Sequence, residues 1–496
     1  MTAREEQYSR LVMAAEPRPF WLDQPGAPPA RPPLQGEAAA DLVVIGGGFT
    51  GLWTALLAKE SDPERSVVLV EGNRVGWAAS GRSGGFCEAS LTHGTANGRE
   101  RFPAEFATLQ RLGAENLDAI QATVERHGLD CGFERTGSIG VATEEYQVDG
   151  LRAAAETDGL AFLDTDAVRA EVNSPTYLAG LWDKQGTALV QPARLAWGLA
   201  AACERLGVRI FEGTPAAGLA SDADGATVRT RAGVLRAGRV ALGTSAFPAL
   251  LRRLRPYIVP VYDYVLMTEP LSAAQRAAIG WRNRQGIGDS ANQFHYYRLT
   301  GDDRILWGGY DAIYHFGRGI SAAYDQRPAT FASLAAHFFT TFPQLEGIGF
   351  SHRWGGAIDT CSRFCAFFGT AHRGRVAYAL GYTGLGVGAS RFGARVMLDL
   401  LGNERPRGGS SDARAQEDTE RPRGGSSDAR AQEDTEPSEL TKLRLVRTKP
   451  VPFPPEPLAY LGIQATRWSL ARADRHDGRR NLWLRALDVA GLGFDS

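Results

Sequence analysis

DLVVIGGGFTGLW, residues 41–53, decides the fold. Its opening run of apolar residues suits a strand buried on both faces, as in a parallel sheet. Gly46, Gly48 and Gly51 follow in G-x-G-x-x-G spacing, and a helix begins. The first glycine makes the tight turn, the second admits a pyrophosphate to the backbone, and the third lets helix pack on strand. Amides of Phe49 and Thr50 at the helix start offer donors and positive partial charge to phosphates. The next strand, VVLVE, ends in Glu71, 20 residues past Gly51, placed to accept from ribose hydroxyls of an adenosine half. A dinucleotide is implied. An acid there serves NAD and FAD alike, so the unit leaves that choice open.

The stretch after Glu71 bears on the choice. GNRVGWAASGRSGGF, residues 72–86, is dense in small residues, among them Ala79, Ser80, Ser83, Gly84 and Gly85. Small side chains let backbone approach a large planar ligand, and Arg82 offers a fork for phosphate or for fixing the loop. A nicotinamide domain would proceed directly to its next crossover. A resident flavin is the better reading.

At 496 residues the chain exceeds the size at which one core stops growing, so two domains are expected. A formal net charge of −1 provides no field to draw in nucleic acid or an anionic membrane. Cys87, Cys131, Cys203, Cys361 and Cys365 are scattered, and no histidine cluster completes a zinc site, so no metal is expected. The N-terminal residues lack an apolar signal core and no run reaches membrane-spanning length. The expectation is a cytoplasmic protein without stable membrane insertion, a monomer or small homo-oligomer.

Periodicity divides the chain further. Residues 1–39 read as a surface segment, 40–105 as the first part of the nucleotide unit, and 106–185 as a helical segment of a second domain. QPARLAWGLAAACERLGVRIFEG starts a second crossover, with Pro192 suited to a first helical turn, so 186–250 returns to the nucleotide unit. Residues 251–350 read as antiparallel strands, including a hairpin in YYRLTGDDRILWGG. Residues 351–403 re-enter the nucleotide unit. ERPRGGSSDARAQEDT at 404–419 repeats at 420–435, too polar to form a core, so 404–436 reads as disordered. Residues 437–496 form a basic amphipathic tail expected to dock on the protein or a sister subunit.

VVIGGGFTGLWTAL, the acid, VGWAASGRSGG, YYRLTGDDRILWGG, RWGGAID and GYTGLGVGASRFGARVMLDLL occur in this order. Together they resemble the FAD-dependent oxidoreductases of the D-amino-acid oxidase and glycine oxidase superfamily, nearest in look to the branch of gamma-glutamylputrescine oxidase and aminophosphonate-pathway flavin oxidases. The resemblance spans roughly 20–402. It implies an α/β fold, α+β taken whole: a Rossmann-like FAD-binding domain with a discontinuous antiparallel-sheet substrate domain. It implies that GYTGLGV passes the flavin ring, with Gly381, Gly384, Leu385, Gly386 and Val387 in contact and the next helix aimed at the pyrimidine end. Pro215, Ala216 and Thr244 complete the implied FAD contacts. No histidine lies in 71–92 and Cys361 does not sit at the family's attachment position, so FAD is expected to be noncovalent.

The implied reaction is oxidation of a C–N bond, with hydride passing to flavin N5 and the imine hydrolysing to a carbonyl. O2 or another acceptor takes the electrons. Candidates near the reacting atoms are His93, Tyr264, His295, Tyr297 and Trp354. Because strand residues alternate, either His295 with Tyr297 or Tyr296 with Arg298 can face the site. Amino-acid oxidases of the superfamily clamp the substrate carboxylate with an arginine, where RWGGAIDTC has small residues, and Arg353 is expected to point elsewhere. That favours an amine without an α-carboxylate. The alternatives are a D-amino acid or glycine/sarcosine-type oxidase, a nicotinamide dehydrogenase, and a flavoprotein fold serving as a non-redox or nucleic-acid-modifying module; neutral charge argues against nucleic acid.

Overall fold

The computed structural model describes residues 3–247, 250–403 and 438–492. The repeat at 404–435 lies outside them.

Two sheets carry the architecture. In the first, parallel strands Gly36–Ile45, Val67–Val70, Arg209–Phe211, Gly233–Leu242 and Val376–Leu380 form the centre. Their order places Gly36–Ile45 between Val67–Val70 and Gly233–Leu242, so the glycine turn leaves from mid-sheet. Val43, Val44, Val68 and Leu69 are fully buried, as strands covered on both faces require. Helices Phe49–Ser61 and Gly386–Asn403 pack together on one face. Helix Pro192–Arg205 follows as the pattern foretells, with Pro192 at its start and the Gln191 side chain accepting from the Arg194 amide at 2.5 Å.

The second sheet is mixed and mainly antiparallel. Its long strand Val259–Thr268 pairs with Phe350–Thr360, Ile305–Gly309 and Ile313–Tyr314. The expected hairpin joins His295–Leu299 to Ile305–Gly309. Strands Ser138–Ala142, Ala161–Leu163 and Ala179–Asp183 extend the sheet, with one parallel pairing between Gly286–Asp289 and Ser138–Ala142. Phe350–Thr360 belongs to this sheet, in register Val265↔Trp354, whereas the motif reading put residues from 351 in the nucleotide unit. Its hydrogen-bonding partner, not its distance from the last glycine motif, decides which layer it joins.

Helix Pro328–Thr341 backs the second sheet, burying Phe331, Leu334, Phe338 and Phe339. The N-terminal segment is less superficial than its composition suggests. Tyr8 stacks on Phe339 at 4.9 Å, and Phe20 and Trp21 are buried. Residues 438–492 end in helices Leu458–Asp474 and Leu482–Val489, which lie over the space between the two sheets. Among the described residues no helix is long and apolar enough to cross a membrane, and no cluster of His, Cys, Asp and Glu could hold a metal.

Candidate active site

The glycine turn, the small-residue loop, the last glycine motif and the inner face of the second sheet meet at one cavity of about 1300 Å³. Each sequence motif reaches it for a physical reason. Gly46 has φ +113°, and a Cβ on Gly51 would collide with the carbonyl oxygen of Gly46. These two glycines therefore set the turn without touching the cavity. Gly48, Phe49 and Thr50 line it, and a Cβ on Gly48 would lie 2.9 Å from Ser80 Oγ.

From the next loop, Ala79, Ser80, Arg82, Ser83, Gly84 and Gly85 line the cavity. Of the two roles open to Arg82, the structure shows loop fixing: Nε donates to the Trp77 carbonyl at 2.8 Å, and Nη1 to Gly355 O at 3.0 Å and to Asp325. Gly384, Leu385, Gly386 and Val387 line the opposite wall, where a Cβ on Gly384 or Gly386 would meet nothing within 4 Å. Helices Phe49–Ser61 and Gly386–Asn403 thus both start at the cavity, and each presents amide donors and positive partial charge. A long groove with two helix N-termini and an unfilled glycine wall fits a flat ligand carrying a pyrophosphate and an electron-rich ring.

Other cofactor candidates stand apart. Gly381 has φ +76° and donates its amide to Asp359 Oδ2 at 2.7 Å, below the cavity surface. Thr244 lines an adjoining cavity of about 960 Å³ that shares Ala79, Arg82 and Tyr262 with the first. Pro215 abuts Gly72, and Ala216 opens the strand Ala216–Ser221. Glu71 accepts from the amides of Gly47 at 2.6 Å and Asn73 at 2.8 Å and from Trp77 Nε1 at 3.0 Å. Burial outweighs those bonds and raises its carboxyl above the usual range. Glu71 braces the glycine turn, and a carboxylate has about four acceptor positions, enough to receive a ribose hydroxyl as well. The Cys361 thiol is buried against the carbonyls of Cys365 and Gly381, at 3.2 and 3.4 Å, and does not line the cavity.

The candidates for the reacting region divide. His93 lines the cavity beside Phe364, and burial lowers its imidazole to about 4, so it is uncharged at neutral pH. Trp354 also lines it, with Nε1 donating to the Arg82 carbonyl at 2.9 Å. Tyr264, His295 and Tyr297 do not. Tyr264 donates to the Tyr324 carbonyl and packs edge-on against Phe331, and Tyr297 bonds Tyr177 at 2.7 Å among Trp281, Trp307 and Phe342. Helix Pro328–Thr341 supplies Phe331 and Phe338 to this face, which turns the opposite one toward the cavity. Tyr296 is the residue of HYYR that lines it, while Arg298 donates to the Val190 carbonyl beneath.

Five acids on the wall, Glu88, Asp263, Asp289, Asp311 and Asp359, escaped the motif reading. Residues 259, 261, 263 and 265 share the cavity face of their strand, which makes Asp263 its one charge. Asp263 accepts from the Tyr296 hydroxyl and the Tyr264 amide, yet burial pushes it up to about 6. Burial likewise pushes Glu88 and Asp359 up to about 7. A single acid in an otherwise apolar strand, as in VPVYDYV and GGAID, was the available signal. Arg353 is turned away: Nη1 donates to the carbonyls of Val12, Met13 and Ala15.

The segment 438–492 roofs the cavity with Phe453, Leu461, Leu470, Leu484 and Leu487. Polar clasps hold it. Asp474 accepts from the amides of Asn292 and Gln293 at 2.9 and 3.0 Å, and Arg467 on the cavity edge pairs with Asp311.

Comparison with known proteins agrees with this geometry. The family model DAO, FAD dependent oxidoreductase, matches residues 41–400. The chain is 30% identical over 394 residues to gamma-glutamylputrescine oxidoreductase of Escherichia coli, covering 75% of this chain and 86% of that one. It is 28% identical to the probable oxidoreductase OrdL of Haemophilus influenzae, covering 78% and 89%. The crystal structure of glycine oxidase from Geobacillus kaustophilus superposes with a TM-score of 0.58 at 20% identity, covering 74% of this chain and 95% of that one.

Proposed function

The chain belongs to the DAO family of FAD-dependent oxidoreductases, and from that premise we propose that it oxidises a C–N bond of a cationic primary or secondary amine without an α-carboxylate. FAD dependence and action on amine C–N bonds follow from the family; the substrate class is our reading. The observation that carries it is the charge of the cavity. Glu88, Asp263, Asp289, Asp311 and Asp359 line it, against three cations, Arg82, Arg467 and Arg480. Each of those arginines is already committed to a carboxylate of the protein, Asp325, Asp311 and Asp488. Such a wall favours an ammonium and offers no clamp to a substrate carboxylate or phosphonate, which makes a polyamine-derived amine a better fit than an aminophosphonate.

The glycine turn and the Gly384–Val387 wall would hold FAD noncovalently, and when bound it would supply a hydride acceptor at N5 and a route for the electrons to O2 or another acceptor. The protein does the rest. Aromatic faces of Tyr296 and Trp354 orient the cation. Carboxyls with affinities for protons near neutrality can take the ammonium proton, which must leave before the carbon becomes a hydride donor. The roof excludes water from the amine until the imine forms.

The test is a visible spectrum of the purified protein followed by anaerobic bleaching against putrescine, butylamine, an aminophosphonate, sarcosine and D-alanine. Bleaching by the first two is expected to be fastest. Faster reduction by D-alanine or sarcosine would sink the reading.

A further inference from the structure

His295 sits one hydrogen bond behind the cavity wall. Asp289 lines the cavity at the end of its strand, and its Oδ2 lies 2.7 Å from Nδ1 of His295. Nε2 of His295 lies 3.0 Å from Nδ1 of His337, on helix Pro328–Thr341. His337 is partly exposed. Trp307 and Tyr310 flank the His295 ring, with centroids 4.9 and 5.4 Å away, and Tyr310 also meets His337 at 4.4 Å. The packing therefore holds each imidazole with one nitrogen toward the cavity side and the other toward the surface side.

We propose that Asp289, His295 and His337 form a relay that carries the ammonium proton of the bound amine from the roofed cavity to solvent. The proposal rests on the amine reading above. In each transfer Asp289 receives one proton and passes it to Nδ1 of His295. The proton on Nε2 of His295 moves to Nδ1 of His337, and the proton on Nε2 of His337 leaves to water. One proton enters and one leaves, and no electron moves. An imidazole can do this because one of its nitrogens accepts while the other donates.

Other titratable groups face the chain. Asp263 bears on His295 from the neighbouring strand, and the phenols of Tyr146, Tyr177 and Tyr297 bear on Asp289. Burial, then the neighbouring His295, lowers His337 to about 4, so it stays neutral and able to turn protons over. His295 and His337 act through Asp289 and are positioning residues.

The experiment uses the holoenzyme with putrescine and butylamine as probes. His337→Ala, on a partly exposed helix position, is expected to lower kcat about tenfold at low buffer with KM within about twofold. Added imidazole should restore that variant and leave the wild type unchanged. In protein labelled with 15N-histidine, His337→Ala should shift the tautomer of His295. A variant with wild-type kcat and pH profile, an absence of rescue, or an unmoved His295 signal overturns the relay. A wild-type flavin bleached by neither amine overturns the amine reading instead, and the nitrogen signals tell the two failures apart.

Discussion

Gly386 allows cofactor binding to be separated from folding. Its backbone lies outside the left-handed region, it opens a helix, and a Cβ there would meet nothing within 4 Å. Replacing it with leucine should therefore leave the flavin-depleted protein as stable as before, or up to about 1 kcal/mol more stable, since glycine costs the unfolded chain most entropy. The new side chain points into the space read as the seat of the flavin ring. Forcing a bulky group into a filled site costs about 1–3 kcal/mol, which is about a 5- to 160-fold rise in the Kd for FAD. Quenching of flavin fluorescence on titration gives the Kd, and thermal unfolding of the depleted protein gives the stability. An unchanged Kd would place the ring elsewhere; a fall in Tm of several degrees would show that the wall is not open. Gly51→Ala is the contrasting control, because its Cβ collides with Gly46 and should destabilise the depleted protein itself.

Arg353→Gln strips the donor from three carbonyls of the N-terminal segment and should cost about 1–3 kcal/mol in chemical denaturation, with kcat and KM for butylamine unchanged; a raised KM would reinstate Arg353 as a substrate contact. Tyr296→Phe removes a hydrogen bond that favours ionised Asp263. The acid limb of kcat/KM should then move to higher pH, and an unmoved limb would remove Asp263 from substrate binding. Asp263, Glu88 and Asp359 have folded affinities of about 6, 7 and 7 against ordinary values of 3.8, 4.5 and 3.8. Each favours the protonated folded state, so its contribution is complete below the ordinary value and is lost as pH climbs through 6 to 7. The thermal midpoint should fall over that interval, and Glu88→Gln should remove part of the fall; an identical slope in the variant counts against the burial of Glu88.

What could be read early was local. Gly46 and Gly51 impose a backbone path whatever surrounds them, and Gly384, at φ +95°, does the same at the far wall. Which face of a strand turns inward is not local. His295 and Tyr297 differ from Tyr296 and Arg298 only in parity, and the choice rests with helix Pro328–Thr341, which packs on one side of the sheet. Asp263 and Asp359 were hidden because a lone acid carries no motif. Their significance comes from partners on other elements, Tyr296 for Asp263 and Gly381 for Asp359. The tail at 437–496 reads as amphipathic from its sequence, but nothing in that pattern names the surface that its described residues 438–492 cover.

The roof formed by 438–492 lies beyond the stretch, 41–400, that the family model describes. The glycines of the turn and of the far wall belong to that stretch, whereas Leu461, Leu470 and Leu487, which line the cavity from the roof, do not. Substitutions among them change the lining of the cavity and leave the glycine turn and the Gly384–Val387 wall in place. Laboratory evolution can therefore vary the shape of the cavity by rewriting this one short segment.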